Sequence, residues 1–186
     1  MIVPTGTGTL IKNFNALGSF TFPVGDNTGT AEYSPAMITV NAGTLGSNAH
    51  ISVQLADEKH VNNSSPTNFL TRHWTVEDND ITGINYDLEL TYLDSDITGT
   101  ETSIIEIKSN DGGASWQNLG NVDAASNKIA LSGQTSFSIF TGGDNVVVPI
   151  KLLSFTGEEI DREVQLHWIT ATEENSAYFE VQHLNA

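Results

Sequence analysis

The sequence predicts an all-β domain, an antiparallel β-sandwich, on three observations. Apolar and polar residues alternate with a period of two in one segment after another, which is typical of strands with one buried and one solvated face. The i, i+3, i+4 periodicity of amphipathic helices is nearly absent. Clusters of Gly, Asn, Asp, Ser and Thr interrupt the chain at short intervals, as in sandwiches built from many short strands.

The alternation places the strands in order along the chain. In INYDLELTYL, residues 84–93, every second side chain is apolar or aromatic, and 19–24 and 50–55 alternate in the same way. About ten short antiparallel strands would form an immunoglobulin-like or jelly-roll-like sandwich over residues 1–143. The remaining strands are predicted near 9–14, 35–41, 69–77, 102–108, 115–120, 127–131 and 135–141.

A new pattern begins after TGGDNVVVPIK, where residues 144–149 are predicted to form a linker. Residues 150–186 would then open a second domain, in which Val164, Leu166 and Trp168 alternate as the inward face of a strand. An immunoglobulin-like sandwich takes about 100 residues. The second domain is therefore predicted to be the N-terminal part of a larger one.

Charge and composition exclude several classes of function. Seven Lys and Arg face 23 Asp and Glu, for a net charge of −16, and the cations are scattered singly. Nucleic-acid binding needs clustered cations, so nucleic acid is excluded as a partner, and anionic membrane surfaces are disfavoured for the same reason. The absence of Cys excludes disulfides, thiol catalysis and thiolate metal sites. No apolar run approaches the ~18 residues of a membrane helix, so no membrane insertion is expected.

The residues after the boundary carry a resemblance to a known family. The segments PIKLLSFTG, VQLHW and TATEENSAYFEV resemble, in order and spacing, the start of the fibronectin-type-III-like module that precedes the sorting tail in type IX secretion cargo of Bacteroidetes. On this resemblance Phe155, Trp168 and Phe179 are core residues of that module. The resemblance implies export, a secreted or cell-surface location and a large parent protein with further domains. It implies no catalytic activity.

The stretch SNDGGASW at 109–116 predicts a tight hairpin turn between two strands. Asp111 can accept backbone N–H groups inside the turn, and Gly113, with the glycine before it, permits positive φ. Trp116 is expected to lock the hairpin by packing across its base. The pattern of Ser109, Asp111, Gly113, Ser115 and Trp116 resembles the Asp-box of sialidases and other glycan-handling proteins, in which it is a structural turn remote from the catalytic residues.

A second motif, DNDITG at 78–83, has the spacing of a calcium loop. Asp78, Asp80 and Thr82 occupy alternate positions and supply hard oxygen ligands, and Gly83 allows a sharp turn. Both flanks are predicted strands, however, and Glu89, the twelfth residue, would lie too far along its strand to close the site. The alternatives are therefore calcium, completed by a neighbouring loop, and a plain Asx-type turn at the end of a strand.

Two further sets of side chains are candidates for surface roles. Tyr33 follows the turn-rich stretch GDNTGTAE and is predicted to lie in an exposed loop, where its ring would be able to stack on a sugar. Alternation puts His50, His73 and His167 opposite inward-facing neighbours and predicts that all three face solvent.

The sequence favours a non-catalytic β-sandwich module of a secreted or cell-surface bacterial protein. It would act as a spacer or as an adhesion or glycan-binding element, with a polysaccharide or cell-surface glycan as its partner and no cofactor apart from calcium. The alternative is an accessory or catalytic fragment of a carbohydrate-active enzyme of the glycoside hydrolase or sialidase type. That alternative calls for repeated Asp-boxes or an acidic cleft, and the chain has a single Asp-box.

Overall fold

A computed structural model describes residues 1–4, 6, 8–144, 152–160 and 163–170. The chain divides into two compact units, Met1–Val146 and Val147–Ala186. Apart from Asp144, the predicted linker at 144–149 lies outside the described residues, as does Phe179. No helix in the described part of the chain is long and apolar enough to cross a membrane.

The first unit is an antiparallel β-sandwich, as the sequence predicts. Two single-turn 3-10 helices, Asp94–Asp96 and Glu101–Ser103, interrupt its strands. The strands are β1 (Leu10–Asn13), β2 (Gly18–Phe22), β3 (Gly25–Asp26), β4 (Glu32–Tyr33), β5 (Ala36–Ala56), β6 (Phe69–Leu70), β7 (His73–Thr91), β8 (Ile97–Thr98), β9 (Ile105–Ser109), β10 (Gln117–Asn121), β11 (Lys128–Gln134) and β12 (Ile139–Gly143).

Two long strands, β5 and β7, pair along almost their whole length and run through both layers. The first half of β5 and the second half of β7 lie between β2 and β11. The other halves of β5 and β7 continue into a second layer in the order β1, β5, β7, β12, β9, β10. Buried side chains from both layers form one core cluster, with Ile38, Leu88, Val53 and Trp74 among its members.

The sequence prediction of separate strands at 35–41 and 50–55, and at 69–77 and 84–93, is wrong in two respects. Residues 36–41 and 50–55 belong to β5, and residues 73–77 and 84–91 belong to β7, each a single strand with a bend in its middle. Residues 69 and 70 form the separate strand β6. The register shifts between Val40 and His50, and the bend in β7 has positive φ at Asp80 (59°) and Gly83 (62°). Bulges of this kind turn a strand without ending it, so the strand passes from one layer to the other.

The second unit contains an antiparallel hairpin of β13 (Leu152–Ile160) and β14 (Glu163–Thr170). Phe155 lies directly across from Trp168 in this pairing. Trp168 is 39% exposed and Val164 68% exposed, so the face predicted to be inward is open to solvent within the described residues. The fibronectin-type-III-like character of this unit stays a prediction.

Candidate functional site

The Asp-box turn, residues Ser109–Trp116, is held by side chains that bond to its own backbone. The Ser109 hydroxyl accepts the Gly113 N–H at 2.7 Å and donates to Asp111 Oδ1 at 2.7 Å. Asp111 also accepts the N–H of Ser115 at 2.9 Å and its hydroxyl at 2.6 Å. Gly112 (φ 71°) and Gly113 (φ 90°) adopt the positive φ that the turn requires. These five residues close the hairpin between β9 and β10.

The Asp111 carboxylate is fully engaged in holding the turn. Its hydrogen bonds to the hydroxyl and N–H of Ser115 and to the hydroxyl of Ser109 lower the pKa of Asp111 to about 2. It is therefore ionised at neutral pH, the wrong state for a general acid. These contacts give the motif a structural function.

The sequence predicts that Trp116 packs across the base of its own hairpin. In the structure it also contacts a distant loop. Its ring meets the ring of His60 edge-to-face, with centroids 5.2 Å apart, and its indole N–H donates to the carbonyl of Asn62 at 3.1 Å. Both partners belong to residues 57–68, the connection between β5 and β6. The turn is thereby joined to a loop about 50 residues earlier in the chain.

An open cleft of about 530 Å³ lies beside the Asp-box turn. One wall comes from β7 and the other from the turn and the segment before β12, so the cleft is built on paired strands. The lining mixes hydroxyls, an amide, carboxylates and one aromatic ring. The lining residues are Thr75, Val76, Glu77, Asp78, Ser109, Asn110, Gly112, Phe137, Ser138 and Ile139.

Two contacts fix the polar and aromatic parts of the cleft. The Asn110 amide oxygen accepts the hydroxyls of Ser136 and Ser138. The Phe137 ring stacks on Tyr86, with centroids 4.8 Å apart and planes 10° from parallel. Because Tyr86 is buried and its hydroxyl donates to the Ser136 carbonyl at 2.9 Å, the aromatic side of the cleft is anchored in the core.

The structure brings only one of the three predicted calcium ligands to this cleft. Asp78 lines it, and its carboxylate accepts the N–H of Ile81. Asp80 lies in the bend of β7 and accepts the N–H of Asn48 at 3.0 Å. Thr82 pairs with Thr44 across the ladder. The predicted turn at 78–83 is thus a bend inside one strand, and Asp80 uses an oxygen to stabilise the neighbouring bend in β5.

Burial raises the pKa of Asp78, against its backbone hydrogen bonds and His50, which lower it. Glu89, nine residues after Asp80 on the same strand, instead contacts Lys128 at 2.6 Å. It therefore takes no part in a site at the bend. Calcium at Asp78, Asp80 and Thr82 stays a prediction.

Tyr33 is 47% exposed, and it lies in the short strand β4, paired with Gly25, rather than in a loop. It is not among the residues that line the cleft beside the Asp-box turn. Its role as a sugar-stacking ring stays a prediction separate from that cleft.

A cluster of four carboxylates surrounds Arg72, whose side chain is completely buried. Its Nη1 contacts Asp26 at 2.7 Å, and its Nη2 contacts Glu32 at 2.5 Å and Asp57 at 3.2 Å. Its Nε contacts Asp96 at 2.8 Å. One guanidinium therefore joins four separate segments, namely β3, β4, the first residue of the 57–68 loop and a 3-10 helix.

Three members of this cluster have the spacing of a cation site. Oxygens of Asp26, Glu32 and Asp57 lie within 4.8 Å of one another. The Arg72 guanidinium contacts all three, and burial, followed by repulsion from Asp26, raises the pKa of Asp57. The positive charge between these three carboxylates is the Arg72 guanidinium, and the cluster links the segments that carry them.

His73 does not face open solvent as the sequence predicted, because the loop at 57–68 covers it. Its ring meets His60 edge-to-face with centroids 4.9 Å apart, and its Nδ1 lies 3.0 Å from the carbonyl oxygen of Glu58. His167 is exposed, and His50 is half-buried with Nδ1 at 2.9 Å from the Asn48 carbonyl.

Sequence reasoning missed Arg72 and the His60–His73 pair. Arg72 carried a signal, since alternation with Leu70 and Trp74 places it on the inward face of the strand predicted at 69–77. In the structure it is buried between β6 and β7. His60 lies in a loop with no periodicity, and no pattern in the sequence brings it to His73.

The chain was compared with protein family models, curated proteins and solved structures. No family model, no curated protein and no solved structure matches the chain.

Proposed function

We propose that this chain is a non-catalytic β-sandwich module of a secreted or cell-surface bacterial protein, and that it binds a polysaccharide or cell-surface glycan. The observation that carries the proposal is the cleft beside the Asp-box turn. It places the Asn110 amide, the Ser138 hydroxyl, the Asp78 carboxylate and the Phe137 ring on one concave surface. Amides, hydroxyls and carboxylates are the groups that hydrogen-bond sugar hydroxyls, and aromatic rings pack on sugar faces.

The charge of the cleft favours a neutral glycan. Glu77 and Asp78 both line it, and no Lys or Arg is among its lining residues. Carboxylates brought close to the acidic sugars of an anionic glycan would repel them, and among the described residues that line the cleft none is a cation that offsets this repulsion. The chain's net charge of −16 acts in the same direction at longer range.

The test is a binding panel of neutral and anionic polysaccharides with the whole chain, once with millimolar calcium and once with EDTA. We expect a neutral polysaccharide to bind and Asn110→Ala to weaken it about tenfold, the effect of one to two lost hydrogen bonds. The matched control is Asn121→Ala, an exposed asparagine on β10. Equal losses in both variants would place the binding outside this cleft, and no binding at all would leave the module a spacer.

The same panel separates the remaining alternatives. Binding that EDTA abolishes and Asp78→Asn weakens would support calcium at Asp78, Asp80 and Thr82. Release of new reducing ends would support the carbohydrate-active enzyme instead. Hydrolysis by paired carboxylates requires two acids about 5 to 9.5 Å apart across the scissile bond.

A further inference from the structure

The loop at 57–68 is held against the Asp-box turn by a buried imidazole. His60 is 9% exposed, and its ring lies edge-on to both Trp116 and His73. A β-carbon at Gly113 would lie 2.4 Å from His60 Cε1, so the ring occupies the space that this glycine leaves open. Two hydrogen bonds complete the attachment, from the Trp116 indole to the Asn62 carbonyl at 3.1 Å and from the Asn62 amide to the Gly112 carbonyl at 3.4 Å.

The hydrogen bonds assign the neutral form to His60 and place a proton on Nδ1 of His73. The backbone N–H of Asn62 donates to His60 Nδ1 at 3.2 Å, so Nδ1 carries a lone pair and Nε2 the proton. His73 Nδ1 lies next to the Glu58 carbonyl, which can only accept, so in His73 the proton is on Nδ1. A second proton on His60 would have to go to Nδ1, where it would meet the Asn62 N–H head-on.

We propose that His60 and His73, with Asn62, Gly113 and Trp116, form an acid-sensitive latch that clamps the 57–68 loop to the Asp-box turn and opens when His60 is protonated. Protonation converts the Nδ1 acceptor into a donor and breaks the bond from Asn62. It also puts a positive charge beside the His73 ring in a site largely closed to water. The loop segment that carries the Asn62 carbonyl is then released from Trp116.

The other charged groups of the packed elements do not neutralise this effect. Glu58 acts on both imidazoles and favours their charged forms, against burial. Lys59 donates to the Ser65 carbonyl at 2.6 Å, and Lys108 donates to Gln134 at 2.9 Å. Asp111 is held inside its own turn by Ser109 and Ser115.

Two more charged groups of these elements, Asp57 and Arg72, bond to each other in the carboxylate cluster.

Burial, followed by the charge of His73, lowers the pKa of His60, and burial lowers the pKa of His73. The folded state therefore binds these protons less readily than the unfolded chain does. The stability that the latch contributes is complete above the unfolded value of about 6.5, and it is lost as the pH falls from there towards the lowered folded value.

The latch is independent of whether the cleft binds a glycan, because its readout is the turn itself. Its test is NMR on the ¹⁵N-labelled whole chain from pH 8 to pH 5, following the His ring protons and the Trp116 indole N–H, assigned with Trp116→Phe. We expect the indole signal to shift with the midpoint of His60. Amide exchange at 109–116, corrected for the intrinsic pH dependence, should accelerate about tenfold through the same transition.

Matched variants identify the group responsible. His60→Gln keeps an acceptor oxygen for the Asn62 N–H and cannot take up a proton there, so the response at 109–116 should disappear. His50→Gln, a histidine away from the turn, should leave it intact. If His60→Gln does not fold, His73→Gln replaces it, and the midpoint of the indole shift should move up together with that of His60. An indole signal that stays constant while His60 titrates, or an unchanged response in His60→Gln, would overturn the proposal.

Discussion

Replacement of Arg72 by Met tests whether the buried carboxylate cluster stabilises the fold. Methionine keeps an unbranched side chain in the buried position and removes the cation that four carboxylates share. The side chains of Asp26 and Asp96 are only 9% and 1% exposed, so these two lose a charged partner with little water to replace it. The other two carboxylates are about one-fifth exposed and contribute less.

The size of the effect follows from that exposure. Breaking a buried ion pair by removing one partner costs about 3–5 kcal/mol, because the remaining charge is uncompensated. For a unit of this size, about 4 kcal/mol corresponds to a fall in Tm of roughly 10 °C. We expect Arg72→Met to show this fall in calorimetry of the whole chain at pH 7.5, with the folded state still formed because its stability is of order 5–15 kcal/mol.

The matched control is Lys128→Met, which breaks the pair with Glu89. Both side chains of that pair are more than one-third exposed, so the loss should stay below about 1 kcal/mol. Carboxylates left without their cation bind protons more readily in the folded variant than in the unfolded chain. Arg72→Met should therefore regain stability as the pH falls towards 5. A loss below about 1 kcal/mol, or one equal to that of the control, would refute a stabilising role for the cluster.

Two further predictions concern the Asp-box turn, measured as free energies of unfolding in urea. Gly113→Ala should cost about 3 kcal/mol or more, since its φ is 90° and the new methyl would collide with His60. Gly112→Ala, at φ 71° with no heavy atom within 4 Å, should cost only the left-handed strain of about 1–2 kcal/mol; equal costs would contradict the close packing of His60. Ser109→Ala removes the acceptor of the buried Gly113 N–H and should cost about 1–3 kcal/mol, against less than about 0.5 for the exposed Ser132→Ala.

Local patterns predicted the features that depend on neighbours in the sequence. The period-two alternation of 84–93 places Tyr86, Leu88 and Leu90 in the core, and all three are buried. The Asp-box turn was also predictable, since each of its internal hydrogen bonds joins residues two to four positions apart. A hairpin of this kind is specified by its own side chains and needs little from the rest of the fold.

The bend at 78–83 was predictable as a place of positive φ but not as part of one strand. Asp and Gly at such positions are the signal of a turn, and the same conformations occur at a bulge. What distinguishes the two is the partner strand. The bend in β5 lies opposite the bend in β7, and the backbone N–H of Asn48 in β5 donates to the Asp80 carboxylate. A β-carbon at Gly46 would lie 2.1 Å from that carboxylate, so the two bends are closely packed. Two strands that bend at the same place stay paired. The sequence of either segment alone does not indicate that the other strand bends there.

The Arg72 cluster and the His60 latch escaped prediction for a shared physical reason. Arg72 could be placed inward by alternation, but its partners at 26, 32, 57 and 96 come from four segments that only the tertiary fold brings together. The loop at 57–68 supplies a member of each assembly, Asp57 to the cluster and His60 to the latch. Its backbone has no regular ladder, so its conformation is fixed by these side-chain contacts rather than by periodicity. Arg72→Met should therefore loosen the first residues of the loop, from Asp57 to His60, and the Trp116 indole signal should shift although Trp116 does not contact the cluster.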